Sequence, residues 1–279
     1  MNTYRHAGDI GDVLFSLPVI RYFGGGVLFI EAARYTRQLL TPDKWCGLDV
    51  LLKQQPYITD VLPWHGERVT VCLNDFRARM QSTLRRGEGK QRHLADWMME
   101  AHGVPLSEKD KAWLSVEPNA VAPVVINRSG PGRQPHHVYH NPQFPWHRVW
   151  KKYHQHAVFI GHPEEHAVFT ATCGEVPYHP TADLYEAARV IAGASLFIGN
   201  QSACHAIAEG LKRNILLEVW PSGANTLSYR PGVTHGWDLN IQLPDLSAHQ
   251  EKQSSSTTSP TSTASSAVRS PRSSCPMLS

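Results

Sequence analysis

The 279-residue chain lacks the features that mark membrane and secreted proteins. It has no apolar run of about 18 residues, so we expect no membrane-spanning helix. The first residues, MNTYRHAGDIGD, have no basic flank followed by an apolar stretch, so we expect no signal peptide. The cysteines are few and odd in number, and no two have C-x-x-C spacing. This argues against a disulfide framework or a structural zinc site and predicts a reducing, cytoplasmic location. They are Cys46, Cys72, Cys173, Cys204 and Cys275.

Strong charge of either sign is also missing. The formal net charge is +3, and Arg269 and Arg272 near the C-terminus supply two of those charges. The rest of the chain is almost neutral and has no Lys/Arg stripe, so nucleic acid is not an expected partner. Hydrophobic residues make up 41% and charged residues 18%, a globular balance with length for two small domains.

Serine and threonine dominate residues 254–279, which contain almost no apolar side chain. Such a segment cannot bury enough surface to offset its ordering entropy, so we predict a disordered tail over 246–279. A frameshifted or cloning-derived end would have the same composition, and no function is assigned to it.

Short apolar, β-rich runs alternate with helical patterns along the rest of the chain. Alternating strands and helices predict an α/β protein with parallel, doubly wound sheets. The predicted strands are residues 27–30, 69–73, 124–126, 157–160, 196–198 and 215–219, and the predicted helices include 94–102, 183–192 and 202–212.

A Pro-, Asn- and Ser-containing stretch at residues 113–123 is the best linker candidate. It predicts an N-terminal Rossmann-like domain over 1–115 and a C-terminal one over 116–245. Two such domains would face each other across a cleft, which is the usual place for a ligand.

The first candidate site is the run His6-Ala7-Gly8-Asp9-Ile10-Gly11-Asp12. Gly8 and Gly11 permit a tight turn from the first strand into a helix. Asp12 has two interpretations: a carboxylate that stabilises the helix N-terminus, or a general base at the edge of the cleft.

The second site follows the predicted strand 124–126. Arg128 could hold a phosphate and Ser129 could donate a hydroxyl hydrogen bond, since parallel sheets place ligands where strands end. Three histidines in the next loop suggest a metal site, but no carboxylate or thiolate pattern accompanies them, which favours solvated loop histidines. They are His136, His137 and His140.

Two further sites follow later strands. Gly161 precedes Glu164 and Glu165, which open a helix and would either complement its dipole or accept the hydroxyls of a nucleotide ribose. The run Gly199-Asn200-Gln201-Ser202, with His205 one turn on, leads from a buried strand into a helix capped by Asn200 or Ser202. Ordinary capping explains part of this run, and the helix start would also bind a diphosphate.

Together these runs resemble glycosyltransferase family 9, the ADP-heptose:lipopolysaccharide heptosyltransferase-like group with a GT-B fold. Gly11-Asp12 with Pro18 resembles the family's N-terminal Gly-Asp-x-x-x-x-x-Pro signature, and residues 197–202 with His205 and Ala208 resemble its C-terminal nucleotide signature. Residues 144–146 and 161–165 follow in the family's order, so the resemblance spans residues 4 to about 240.

The resemblance implies an inverting, metal-independent transfer of a sugar from a nucleotide diphosphate to a glycan hydroxyl, with no cofactor. Asp12 would be the base. The donor would bind Arg128, Ser129, Gly161, Glu164 or Glu165, and the run Gly199, Asn200, Gln201, Ser202 and His205. The acceptor would be a glycan or lipid-linked glycan of lipopolysaccharide biosynthesis, the latter bringing peripheral membrane contact.

The sequence departs from the family at Gln201, where an acidic residue is usual, so we expect an altered donor contact. The first half is short and the first strand is polar. Two other functions stay open: a nucleotide-sugar epimerase, which has the same architecture, and a non-catalytic sugar-nucleotide-binding protein. Gln201 favours the non-catalytic alternative, whereas Asp12 and His205 favour an enzyme.

Overall fold

The computed structural model describes residues 1–31, 47–89, 91–130 and 139–246. Cys46, His136, His137 and the Ser/Thr-rich tail lie outside these ranges, so the predictions made for them stay predictions. Within the described ranges, no helix is long and apolar enough to cross a membrane. Residues 1–244 form one compact unit.

The first half of the chain forms a parallel sheet of order β3-β2-β1-β4. Its strands are β1 (Asn2–His6), β2 (Gly26–Ile30), β3 (Ile58–Pro63) and β4 (Val71–Cys72), and its helices are α1 (Ile10–Tyr22), α2 (Leu48–Lys53), α3 (Phe76–Arg85) and α4 (Leu94–Ala101). The central strand β1 pairs with β2 in register from Asn2 opposite Gly26 to His6 opposite Ile30. The chain therefore leaves the sheet into α1 at the carboxyl edge of β1.

The second half forms another parallel sheet, of order β6-β5-β7-β8-β9. Its strands are β5 (Val124–Asn127), β6 (Ala157–Phe159), β7 (Leu196–Asn200), β8 (Asn214–Glu218) and β9 (Val233–Gly236), and its helices are α5 (Trp146–Tyr153), α6 (Pro163–Cys173), α7 (Leu184–Gly193) and α8 (Ala203–Gly210). β5, β7 and β8 are continuous apolar runs, as expected for strands covered on both faces.

Helix α1 is buried from Val13 to Ile20 and packs against both α4 and α8. A helix that is apolar on every side is buried on every side, and α1 meets this condition because its middle has no charged residue. The ring of Phe15 lies edge-on to those of His93 and His205, at centroid distances of 4.9 and 6.2 Å. The core therefore continues from the first half of the chain into the second.

The predicted α/β class with parallel sheets is confirmed. Strands β3 and β9 were not predicted, because Asp60 interrupts one and residues 233–236 of the other are only partly apolar. Residues 111–123 have no regular secondary structure, as expected for a linker. The boundary near residue 115 and the two-domain arrangement stay predictions.

Candidate functional site

The carboxyl ends of three strands in the second sheet meet at one edge. The register pairs Asn127 of β5 with Gly199 of β7, and Asn200 with Glu218 of β8. All these residues are buried. Polar side chains that follow separate strands in the sequence are therefore neighbours at the position where parallel sheets bind ligands.

Ser202 caps the helix that leaves this edge. Its Oγ accepts a hydrogen bond from the backbone N–H of His205 at 3.3 Å and donates one to Asn127 Oδ1 at 2.9 Å. Asn127 in turn donates through Nδ2 to the carbonyl oxygen of Ile160 at 3.0 Å. The predicted cap is thus confirmed at Ser202, and the hydroxyl group is already bonded on both sides. A diphosphate contact at this helix start would be made by its first backbone N–H groups and stays a prediction.

Asn200 holds the segment that follows β5. Its Oδ1 accepts from the N–H of Ser129 at 3.0 Å, and its Nδ2 donates to the carbonyl oxygen of the same residue at 2.8 Å. His140 also bonds the Ser129 carbonyl oxygen, at 3.0 Å from Nε2. His140 is therefore half-buried and bonded, which corrects its interpretation as a solvated loop histidine. Burial lowers the pKa of His140.

Arg128 is paired with a carboxylate that the sequence analysis did not single out. Its Nε and NH2 atoms each lie 2.9 Å from an oxygen of Glu218, which is fully buried at the end of β8. Glu218 also accepts from Trp146 Nε1 at 3.1 Å and from the N–H of Asn141 at 2.8 Å. The guanidinium nitrogens of Arg128, expected to hold a phosphate, thus bind a carboxylate, and the phosphate contact of Arg128 stays a prediction.

The two glutamates after Gly161 differ in their surroundings. Glu165 accepts from the N–H of His162 at 3.0 Å and from the N–H of Gly130 at 3.1 Å, whereas Glu164 is exposed. A side chain at Gly161 would place its Cβ 2.7 Å from Glu165, and the φ of +134° also requires glycine. Glu165 therefore forms the N-terminal capping box of α6, and a ribose contact stays a prediction for both glutamates.

His205 belongs to the first turn of α8, and its side chain is buried against α1. It is 1% exposed, its ring faces Phe15 of α1, and neither ring nitrogen has a hydrogen-bond partner among the described residues. Burial lowers the pKa of His205 to about 4. Its ring therefore forms part of the packing between α1 and α8, and a donor contact would require this packing to open.

Asp12 lies in the first turn of α1 and forms an ion pair. Its Oδ2 is 2.9 Å from NH2 of Arg77, and both side chains are about one-quarter exposed. Arg77 also donates to the carbonyl oxygen of Ala7 at 2.9 Å and to Asn74 Oδ1 at 3.2 Å. The carboxylate is therefore held by a fixed cation and remains partly open to solvent.

The two glycines of this turn have different roles. A Cβ at Gly8 would lie 2.7 Å from both Arg77 NH2 and Asp12 Oδ2, so glycine is required for the ion pair to fit. Gly11 is inside α1, and a Cβ there would meet nothing within 4 Å. The prediction that Gly11 permits the turn is wrong, because the helix has already begun at Ile10.

The pKa of Tyr139, a residue of the second half of the chain, is affected by the charge of Asp12. Burial raises the pKa of Tyr139, and the negative charges of Asp12 and Asp9 raise it further. The Tyr139 ring lies edge-on to Trp220, with the centroids 5.0 Å apart. The negative charge of Asp12 thus acts on a tyrosine from the second half of the chain, which no local sequence pattern predicts.

The described residues contain no group of three or more His, Cys, Asp or Glu side chains placed to hold a metal ion. Cys72, Cys173 and Cys204 are free thiols. Burial raises the pKa of Cys204 to about 12, so it has little thiolate character at neutral pH.

No protein-family model matches this chain, and no curated protein sequence does. Solved structures do match. A glycosyl transferase family 9 protein from Veillonella parvula DSM 2008 is 12% identical, with a TM-score of 0.52 over 90% of each chain. The E. coli heptosyltransferase WaaC, solved with ADP-2-deoxy-2-fluoro heptose, is 13% identical, with a TM-score of 0.50 over 90% of this chain and 97% of WaaC.

A third match is the dodecameric, iron-containing heptosyltransferase TibC in complex with ADP-D-beta-D-heptose. It is 14% identical, with a TM-score of 0.51 over 83% of this chain and 61% of TibC. Identities this low establish the fold, and function must be argued from the site. The chain therefore has the fold of the glycosyltransferase family 9 structures, as its short motifs predicted.

Proposed function

We propose that this protein is a glycosyltransferase that moves a sugar from a nucleotide diphosphate to a glycan hydroxyl. The observation that carries the proposal is the placement of Asp12 on a fold whose solved neighbours are glycosyl and heptosyl transferases. Its carboxylate is partly open, held by Arg77, and within electrostatic reach of Tyr139 from the second sheet. WaaC and TibC were solved with ADP-linked heptoses, so a heptose is the first donor sugar to test.

The second sheet supplies the donor side of the proposed site. The capped start of α8 offers backbone N–H groups and the positive end of the helix dipole to a diphosphate. Arg128 brings a cation to the same strand edge, fixed in place by the two oxygens of Glu218. A charge that is already oriented has little to reorganise when the leaving diphosphate develops its negative charge.

Asp12 supplies the base in this proposal. Its carboxylate takes the proton of the acceptor hydroxyl as the oxygen attacks the anomeric carbon from the side opposite the diphosphate, which inverts the configuration. Positioned general bases contribute about 10²–10⁴-fold in rate. Arg77 keeps the carboxylate oriented, and no step uses a metal ion. We further propose a cytoplasmic location and a glycan or lipid-linked glycan of lipopolysaccharide biosynthesis as the acceptor.

The test has a binding stage and a turnover stage. Melting curves with a panel of nucleoside diphosphates should identify the nucleobase of the donor. A ligand at 100 times its Kd stabilises the fold by about 2.7 kcal/mol. The matching nucleotide sugars are then incubated with glycan acceptors, and the anomeric configuration of the product is determined. Release of an isomerised sugar nucleotide without acceptor would identify an epimerase. Binding without turnover on any acceptor would identify a non-catalytic sugar-nucleotide-binding protein.

A further inference from the structure

A buried glutamine lies between the end of β7 and the start of α8. Gln201 is 8% exposed, and its carboxamide bonds to the segment that follows β8. Its Oε1 accepts from the N–H of Trp220 at 3.0 Å. Its Nε2 donates to the carbonyl oxygen of Gly223 at 2.9 Å and to Asn225 Oδ1 at 3.1 Å. The side chain therefore acts as acceptor and donor at once.

The same segment, residues 220–225, also contacts the first half of the chain; we call it the strap. The carbonyl oxygen of Asn225 accepts from the N–H of Leu94 at 2.7 Å. Leu94 is the first residue of α4, and both it and the capping residue His93 are buried. Asn225 thus binds Gln201 through its side chain and α4 through its main chain.

We propose that Gln201 is a positioning residue, which holds the start of α8 at a fixed distance from α4 and from α1 through the strap. The inference rests on the proposed function, because it assigns the donor diphosphate to α8 and the base Asp12 to α1. Helix α1 packs on both α4 and α8. This packing and the strap therefore both fix the position of α8 relative to α4. A misplacement of 1 Å at a reacting centre lowers the rate by about 10²-fold.

Only a carboxamide fits the contacts of Gln201. A carboxylate there would place an oxygen against two acceptor oxygens, those of Gly223 and Asn225. Rotation of the Asn225 amide relieves one of these contacts, but the backbone oxygen of Gly223 has no such freedom. A buried acceptor that loses its donor and meets a negative charge is strongly disfavoured. Gln201→Glu therefore hardly changes the volume of the side chain, but it breaks hydrogen bonds that hold the strap to residue 201.

The experiment compares full-length wild type and Gln201→Glu in three measurements. Hydrogen exchange reports the Leu94 amide, calorimetry reports the Kd for ADP, and the transfer assay reports kcat at saturating donor. We expect the Leu94 amide to exchange at least about tenfold faster, because its acceptor is no longer held. We expect kcat to fall about 10- to 100-fold while the Kd for ADP changes by less than about threefold.

Two further variants serve as controls for the added charge. Gln81→Glu adds the same charge at an exposed position of α3 and should alter none of the three measurements. Asn225→Asp adds it inside the strap but keeps an acceptor opposite Gln201 Nε2, so the Leu94 amide should stay protected. If Gln201→Glu does not melt cooperatively, Gln201→Leu removes all three side-chain hydrogen bonds to the strap without adding a charge and should give the same exchange result.

Two outcomes would overturn the inference. Unchanged exchange at Leu94 in Gln201→Glu would mean that the strap does not depend on the glutamine. An ADP affinity that falls in parallel with kcat would make Gln201 a donor contact instead. A wild type that transfers no sugar would refute the proposed function, and the exchange measurement would still decide whether Gln201 holds the strap.

Discussion

Replacing Asp12 by asparagine tests the proposed base directly. Asparagine keeps the size of the side chain and an oxygen that can accept from Arg77, now 2.9 Å away. It cannot take a proton from an acceptor hydroxyl. We therefore expect kcat to fall by about 10²–10⁴-fold, which corresponds to about 2.7–5.4 kcal/mol of transition-state stabilisation. Donor affinity should change little, because the proposed diphosphate site is on α8.

The expected loss of stability is much smaller. Both members of the Asp12–Arg77 pair are about one-quarter exposed, so solvent screening limits the pair to less than about 1 kcal/mol. The first-turn position in α1 adds a helix-dipole contribution of about 0.3–1 kcal/mol. For a folded part of this size, each kcal/mol shifts Tm by about 2–4 °C. A melting curve within a few degrees of wild type is therefore expected.

Asp49→Asn is the matched control, since Asp49 is also a carboxylate in the first turn of a helix, α2. It should show a similarly small change in melting and a normal rate. The assay is single-turnover transfer at saturating donor, with ADP affinity measured in parallel. Turnover of Asp12→Asn within about threefold of wild type would remove Asp12 as the base and leave it a helix-terminal carboxylate.

Three other predictions follow from burial and composition. Arg128→Ala should destabilise the fold by about 3–5 kcal/mol in urea titrations, because it leaves Glu218 buried without a cation. Adding Glu218→Gln should restore most of this loss. If ADP binds as tightly to the double variant as to wild type, Arg128 does not contact the phosphates. The free energy of unfolding should fall as the pH drops from about 6.5 towards 4. The cause is that burial lowers the pKa of His205 to about 4, so the folded state resists its protonation. An equally steep fall of the free energy of unfolding with pH in His205→Leu would rule this out. Deletion of residues 254–279 should leave the free energy of unfolding within about 0.5 kcal/mol, and loss of cooperative melting would contradict it.

The sequence predicted what depends on local pattern. Buried strands are continuous apolar runs, and the capping residue Ser202 stands directly before its helix, so both were recognisable. The fold class followed from the alternation of such runs. The polar residues that follow β5 and β7 were expected to be neighbours, because parallel strands end at a common edge of the sheet.

Partners that are distant in the chain could not be predicted. Arg77 lies 65 residues from Asp12, and Glu218 lies 90 residues from Arg128, so no spacing rule connects them. The available signal for Glu218 was weak: it is an acidic residue at the end of a predicted buried strand, and such a charge needs a partner. The partners of Gln201 could not be predicted either, because the groups it binds lie in residues 220–225, a segment with no motif of its own.

The burial of α1 between α4 and α8 bears on whether the two halves of the chain can exist apart. Trp113 and Leu114, at the start of the predicted linker, both donate backbone hydrogen bonds to the carbonyl oxygen of Gly210 at the end of α8. A fragment ending near residue 115 would expose the face of α1 that contacts α8. The complementary fragment would lose Trp113 and Leu114, whose N–H groups bond the end of α8. Neither fragment is expected to be soluble alone. Co-expressed, the two should reassemble through α1, which makes this helix the natural place to look for complementation between split halves.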